Sequence, residues 1–164
     1  MCPEDRKLQG IIPVRSLREN IVVAMQKRLA RLGFFIHRRR ERDTALEQVR
    51  NLDIRAASVE QAIMYLSGGN QQKSIVARWI ARRPKVLILD EPTKGIDVGA
   101  KAEIYKLICA LARQGIGIIV VSSELPEIIG LCDRILVMKD GRLCGELARE
   151  EATEEKVLSF ALLQ

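Results

Sequence analysis

Apolar positions recur at helical spacing through the first third of the chain, give way to short unbroken apolar runs in its middle, and end in an alternating pair. Ser16-Leu17-Arg18-Glu19 has the form of a capping box, in which a serine hydroxyl and a glutamate three residues on satisfy each other's free amide hydrogens. A helix is predicted from there through Ile21, Val22 and Met25, broken by Gly33 and the basic run 37–42. A second amphipathic helix is predicted over 44–52, with Ala45, Leu46, Val49 and Leu52 on one face. Residues 71–83 read as a helix with Ile75, Val76, Trp79 and Ile80 at helical spacing, stopped by Pro84. The rhythm then changes: 86–89 is an unbroken apolar run, the mark of a strand covered on both faces. Helical periodicity returns over 98–113, with Ile104, Leu107, Ile108 and Leu111 inward, followed by a second buried strand at 117–121. Pro126 belongs near the start of a short helix over 125–131. Asp140-Gly141 between 134–139 and 142–147 is a two-residue hairpin signal, because both turn positions want positive φ. Thr153 suits the cap of a last helix, with Glu154 and Glu155 favourable in its first turn. Strands and helices in alternation imply an α/β class, a parallel sheet with covering helices behind a helical first part.

Composition narrows the class. The 164 residues suit one domain, and 48% hydrophobic with 29% charged residues reads as globular. No apolar run approaches the roughly 18–20 residues that cross a bilayer. The opening Met1-Cys2-Pro3-Glu4-Asp5-Arg6-Lys7 is charged where a secretory signal should be apolar, so a cytosolic protein is expected. Cys2, Cys109, Cys132 and Cys144 form no short-spaced pair, which predicts reduced, mostly buried thiols rather than a zinc site. The net charge of +6 raises nucleic acid as a partner, but aromatics make up only 4% of the chain, too few for base-stacking platforms. The run His37-Arg38-Arg39-Arg40-Glu41-Arg42 reads first as a solvated face and second as a face near a membrane or membrane protein; no nucleic-acid partner is expected.

Two segments carry chemistry. Val86-Leu87-Ile88-Leu89-Asp90-Glu91-Pro92 places Asp90 at the end of a buried strand, where a carboxylate suits Mg²⁺, an ion that wants oxygen ligands and keeps part of its water. Glu91, one residue on, suits a carboxylate that orients and polarises water against a γ-phosphate. The bland alternative is a strand ending in two acids that face solvent or pair with arginine. Leu66-Ser67-Gly68-Gly69-Asn70 sets a glycine pair and a hydroxyl donor before a helix, so backbone amides and the helix's positive end approach an anion closely. Standing alone, that segment would be an ordinary helix start. No Gly-Lys pair occurs in the sequence, so the phosphate loop Gly-x4-Gly-Lys-[Ser/Thr] is missing from it.

In that order, the two segments resemble the signature and Walker B motifs of ABC-type ATPases. The chain is similar nearly end to end to ATPase subunits of bacterial monosaccharide ABC importers, the ribose, galactose, xylose and arabinose class. The matching segments are 3–7, 66–73, 87–93, Gly95-Ile96-Asp97-Val98-Gly99-Ala100-Lys101 and Ser122-Ser123-Glu124-Leu125-Pro126-Glu127. The opening 2–7 with 10–14 is nearest the arabinose members. The resemblance implies the C-terminal part of a second nucleotide-binding domain: an incomplete ABC-type P-loop ATPase fold, with the phosphate-loop strand and helix absent, plus an α-helical subdomain. It divides the chain into a partial Q-loop region at 1–14, the helical subdomain at 15–66, the core at 67–150 and a terminal helix at 151–164. It also implies ATP and Mg²⁺, with Asp90 toward the metal, Glu91 catalytic, and Ser67, Gly68, Gly69 and Asn70 serving ATP held by a partner domain that carries a Walker A motif. Asp97 matches the D-loop, Glu4 the Q-loop position and Ser123 the switch position. The further partners implied are sugar permease subunits and, indirectly, a periplasmic sugar-binding protein, with the chain peripheral on the cytoplasmic face of the inner membrane.

Two departures matter. Ser123 stands where competent ABC domains usually carry a histidine against the γ-phosphate, and serine cannot be cationic near neutrality. Glu4 replaces a neutral amide with a charge. Both imply a weak site on this chain's own Walker B, whereas its signature looks intact. Autonomous ATPase activity is not expected without the phosphate loop, and missing central strands imply exposed apolar edges and marginal stability. The alternatives are an interaction module completed by a separate polypeptide, an ABC protein acting on nucleic acid, and a non-functional gene fragment.

Overall fold

The capping box forms as the sequence predicts, and the first helix grows from it. In the computed structural model, which describes residues 1–26, 30–31 and 35–162, Ser16 Oγ accepts from the Glu19 amide and Glu19 accepts from the Ser16 amide, opening α1 (Leu17–Val22). A single 3-10 turn over Val23–Met25 continues it. The expected break at Gly33 lies outside the described residues; β1 (Ala30–Arg31) and β2 (Phe35–Ile36) flank it as an antiparallel pair.

The second helix corrects the sequence reading. The basic run does not end a helix but begins one: α2 spans Arg38–Asn51, with the His37 ring accepting from the Arg40 amide at its start. Its buried face is Glu41, Ala45 and Gln48, extended by Leu52, while Leu46 and Val49 are only half-buried. Polar residues occupy the inward stripe because Arg18 of α1 reaches across to Glu41 at 2.5 Å and to Glu60 at 2.9 Å. Arg38, Arg39 and Arg40 are exposed, as a solvated face requires.

Helix α3 (Gly68–Ile80) starts with Ser67 as its cap and is followed by β3 (Val86–Asp90). Helix α4 spans Val98–Arg113, capped by Asp97 on the Ala100 amide at 2.9 Å, with Ile104, Ile108 and Leu111 buried and Leu107 half-buried. Strand β4 (Gly117–Val121) pairs with β3, and Cys2 makes a parallel bridge to Leu89 on β3. Two-sided burial does not hold. Exposure alternates along both strands, with Val86 at 55%, Ile119 at 50% and Val121 at 50%. Among the described residues nothing covers those side chains, so the apolar runs record a second face that this chain leaves open.

Two compact units result, residues 1–119 and 120–164. The second holds α5 (Leu125–Leu131), β5 (Arg134–Lys139), β6 (Arg142–Ala148) and α6 (Glu154–Leu162). Asp140 and Gly141 both take positive φ, 48° and 77°, giving the tight antiparallel hairpin expected of that dipeptide. The register shifts by one between Val137 and Met138, leaving Cys144 over as a bulge. Ile135, Val137 and Leu147 pack with Val157 of α6, and a Cβ at Gly145 would run into the Phe160 ring. Lys156 donates its amide to Thr153 Oγ1 at 3.3 Å, the expected cap. All four cysteines are free. Only Cys2 is fully buried, and burial pushes its thiol up to about 12, which removes it from thiolate chemistry; the other three are half-buried.

Removing the first cap tests the local account. Ser16→Ala is expected to cost about 1 kcal/mol in urea unfolding. The Ser16 backbone hydrogen bond holds the Glu19 carboxyl below its usual range. The stabilisation from Glu19 is therefore present above the ordinary carboxylate pKa and is lost as pH falls through the depressed value.

Candidate functional site

The loop before α3 presents one exposed hydroxyl. Ser67 Oγ accepts from the Asn70 amide at 3.5 Å and from Asn70 Nδ2 at 2.8 Å. Those contacts use its lone pairs, and its own hydrogen has no acceptor among the described residues, which leaves a donor for an external anion. Asn70 is itself fixed, since its Oδ1 accepts from the Arg55 amide at 2.8 Å. Ser67 is exposed, and the unpaired amides at the start of α3 add further donors with the favourable end of the helix dipole.

The glycine pair has a packing reason that sequence reasoning did not supply. A Cβ at Gly68 would lie 2.8 Å from Arg6 Nη2, and one at Gly69 would lie 2.8 Å from the Ala100 Cβ of α4. Gly69 therefore requires glycine for the close approach of α4, whereas at Gly68 the obstacle is the movable end of the Arg6 side chain.

Asp90 and Glu91 sit at the exit of β3. The Asp90 amide donates to the Cys2 carbonyl at 3.1 Å, so the chain start extends the sheet beside the strand end. Asp90 is half-buried. Glu91 takes φ 45°, a conformation that costs a non-glycine residue about 1–3 kcal/mol. Pro92 and Thr93 behind it are buried, and Thr93 accepts the Ile96 amide at its carbonyl, 3.2 Å away, closing the turn into α4. A carboxylate at a half-buried strand end is an oxygen donor that fits Mg²⁺.

Glu4, at the expected Q-loop position, is exposed and pairs with Lys94 Nζ at 2.5 Å. The hydrogen bond from Glu4 holds the Lys94 ammonium above its ordinary value. Asp97 is exposed at the start of α4. The first unit thus holds Glu4, Ser67, Gly68, Gly69, Asn70, Asp90, Glu91 and Asp97, whereas Ser123 belongs to the second unit, exposed beside Ser122, whose Oγ accepts the Glu124 amide at 3.1 Å. Two residues were passed over as ordinary charges. Arg6 joins the turn at 94–95, and Lys73 of α3, almost fully buried, reaches the Asp53 carbonyl and the Glu103 carboxylate, both at 2.9 Å. That lysine holds the Glu103 carboxyl below its usual range. Arg6 stands among the charges of 4–7 and Lys73 in the polar stretch 70–74, and neither carries a sequence signal for its partners. Among the described residues no His, Cys, Asp and Glu side chains cluster as a ready-made metal cage.

Comparison with known proteins agrees with this geometry. The family model described as ABC transporter matches residues 1–94. The arabinose import ATP-binding protein AraG of Pectobacterium atrosepticum is 53% identical over 164 residues, covering 100% of this chain and 32% of that protein. AraG of Pseudomonas savastanoi pv. phaseolicola is 54% identical over 162 residues, covering 99% of this chain and 32% of its own length. The chain thus spans about a third of the curated relatives it matches. The expected placement in the C-terminal part of a second nucleotide-binding domain is not supported by that coverage, which gives a share of length and no position. Among solved structures, cbiO1 from Clostridium perfringens, part of the ABC transporter complex cbiONQ, superposes with a TM-score of 0.73 at 25% identity, over 94% of this chain and 59% of that one. The post-hydrolysis dimer of the ATP-binding cassette MJ0796, bound to ADP and Pi, gives 0.68 at 24% identity, over 87% and 61%.

The contact at Gly69 is directly testable. Gly69→Ala is expected to destabilise the chain by about 1–3 kcal/mol through overpacking on Ala100. Adding Ala100→Gly should recover most of that loss in a double-mutant cycle of urea midpoints.

Proposed function

The chain belongs to the ABC transporter family, and from that premise we propose that it is an ATPase segment of a monosaccharide importer whose signature completes an ATP site held by another domain. The observation that carries this reading is the exposed Ser67 hydroxyl, which accepts from Asn70 and keeps its own hydrogen without an acceptor among the described residues, beside Gly68 and Gly69 at the start of α3. Such a loop offers donors to a triphosphate but no lysine and no phosphate cradle, and the sequence contains no Gly-Lys pair to provide one. A second ATPase domain carrying the Walker A loop would hold the nucleotide, and this loop would close over its γ-phosphate. The identity to arabinose import proteins supports a sugar importer, and arabinose is the substrate class we propose.

On its own strand end the chain would supply the hydrolytic half of a further site. Asp90 would hold Mg²⁺, which supplies charge neutralisation on the phosphate oxygens when bound. Glu91, one residue on and on a turned backbone, would orient water for attack on the γ-phosphorus. Ser123 offers a hydroxyl and no positive charge, so this site would be the weaker of the two. Permease subunits in the membrane, served by a periplasmic sugar-binding protein, are the proposed partners, with the chain at their cytoplasmic face. Among the described residues no helix is long and apolar enough to cross a membrane.

Mg-ATP titration of the chain, with and without a domain that carries a phosphate loop, tests the reading. Binding is expected only on complementation, and Ser67→Ala should weaken it about tenfold, the worth of one charge-assisted hydrogen bond. Equal binding by the chain alone would contradict the proposal. In the complemented assembly, Glu91→Gln is expected to lower turnover by about a hundredfold or more while nucleotide still binds.

A further inference from the structure

Three segments far apart in sequence meet on one guanidinium. Arg6 Nη1 donates to the Lys94 carbonyl at 2.7 Å and Nη2 to the Gly95 carbonyl at 2.8 Å. The same Nη2 occupies the space that a Cβ on Gly68 would need. Gly95 takes φ 65°, which turns its carbonyl toward the arginine. Arg6 is itself placed from both sides: Asp5 accepts the Lys7 and Leu8 amides to start the turn Arg6–Gly10, and Gly10 ends it against the Ile75 side chain of α3. Neither acceptor is a carboxylate, so the guanidinium serves here as a planar fork matched to two successive carbonyls, a geometry a lysine ammonium does not reproduce.

We infer that Arg6 is a positioning residue that locks the signature loop to the turn between β3 and α4. It holds the Ser67 hydroxyl and the Asp97 carboxylate as one rigid surface. Its functional consequence rests on the ATPase reading above, whereas the lock itself rests on the loop geometry alone. Segment 67–70 and segment 94–97 therefore loosen together when the fork is lost, although they are joined by no direct side-chain bond among the described residues.

Amide hydrogen exchange on the full chain, assembled with its partner where that is needed for solubility, tests the lock. In Arg6→Ala, exchange at 67–70 and at 94–97 is expected to rise together by about tenfold or more, with α2 and the middle of α4 unchanged. Millimolar guanidinium should restore protection at both segments. Arg6→Lys, which keeps the charge and loses the fork, should remain loose, and Lys7→Ala, which removes a neighbouring charge, should change neither. Loosening confined to 94–97, full protection in Arg6→Lys, or a rise throughout α2 and α4 that guanidinium does not reverse would each overturn the proposal. The exchange readout needs no nucleotide, so failure of ATP binding would count against the ATPase reading and leave this result intact. Where that reading holds, Arg6→Lys in the assembly lowers kcat and also weakens ATP binding, by no more than the roughly tenfold of Ser67→Ala, because it loosens the donor that Ser67→Ala removes.

Discussion

Helix α3 is buried from Gln71 through Arg78 without a break, and the first unit is arranged around that constraint. A helix enclosed on every side cannot turn its polar residues to water, so their side chains look for partners, and between Gln71 and Arg78 all but the Gln72 Nε2 find one among the described residues. Gln71 donates to the Ile63 and Leu66 carbonyls, Lys73 to the Asp53 carbonyl and Glu103, and Ser74 to the Asn70 carbonyl one turn back. Arg78 donates to the Asn20 carbonyl at 2.7 Å, and Asn20, fully buried, binds the chain at Ile12, Arg15 and Ser16. Burial lowers the Arg78 guanidinium from its usual value, consistent with carbonyl and amide partners in place of a carboxylate. Every neighbouring segment is thereby tied to one helix.

That arrangement decides what the loop at the head of α3 can do. Its body is immobilised by these bonds, and its first turn is pressed between Arg6 and Ala100. Donors held rigidly before a ligand arrives lose little entropy on binding, which is the condition for anion recognition by backbone amides. The strand that brings Asp90 and Glu91 to the same unit is covered on one face only, so the chemistry-bearing loops are ordered while part of the sheet stays open. An open apolar sheet face is the feature a completing domain would cover.

Much of this was legible in the residues. The capping box, Asp140-Gly141 and Thr153 act through contacts within a few positions, so local sequence determines them. Helix α4 was bounded correctly because its inward residues are apolar at helical spacing, and α5 because Pro126 sits in its first turn. The start of α2 was not, since a run of arginines gives no apolar period, and its inward Glu41 is bought by Arg18 from another helix. Likewise the all-round burial of α3 is invisible in Gln71-Gln72-Lys73-Ser74, where Lys73 reaches as far along the chain as Asp53 and Glu103. The expected two-sided strands failed for the opposite reason: apolar runs report a covering layer that these residues do not themselves contain. Arg6 reads as one charge among several, and only the close approach of Gly68 and Gly95 reveals its place.

A spin label at Ser67, introduced as Ser67→Cys, would report most directly whether this loop closes over nucleotide held elsewhere. With Mn-ATP and a partner bearing the phosphate loop, the account predicts strong dipolar broadening of the label that disappears when either component is omitted. Undiminished label mobility in the complete mixture, or equal broadening with Mn-ATP and the chain alone, would contradict it.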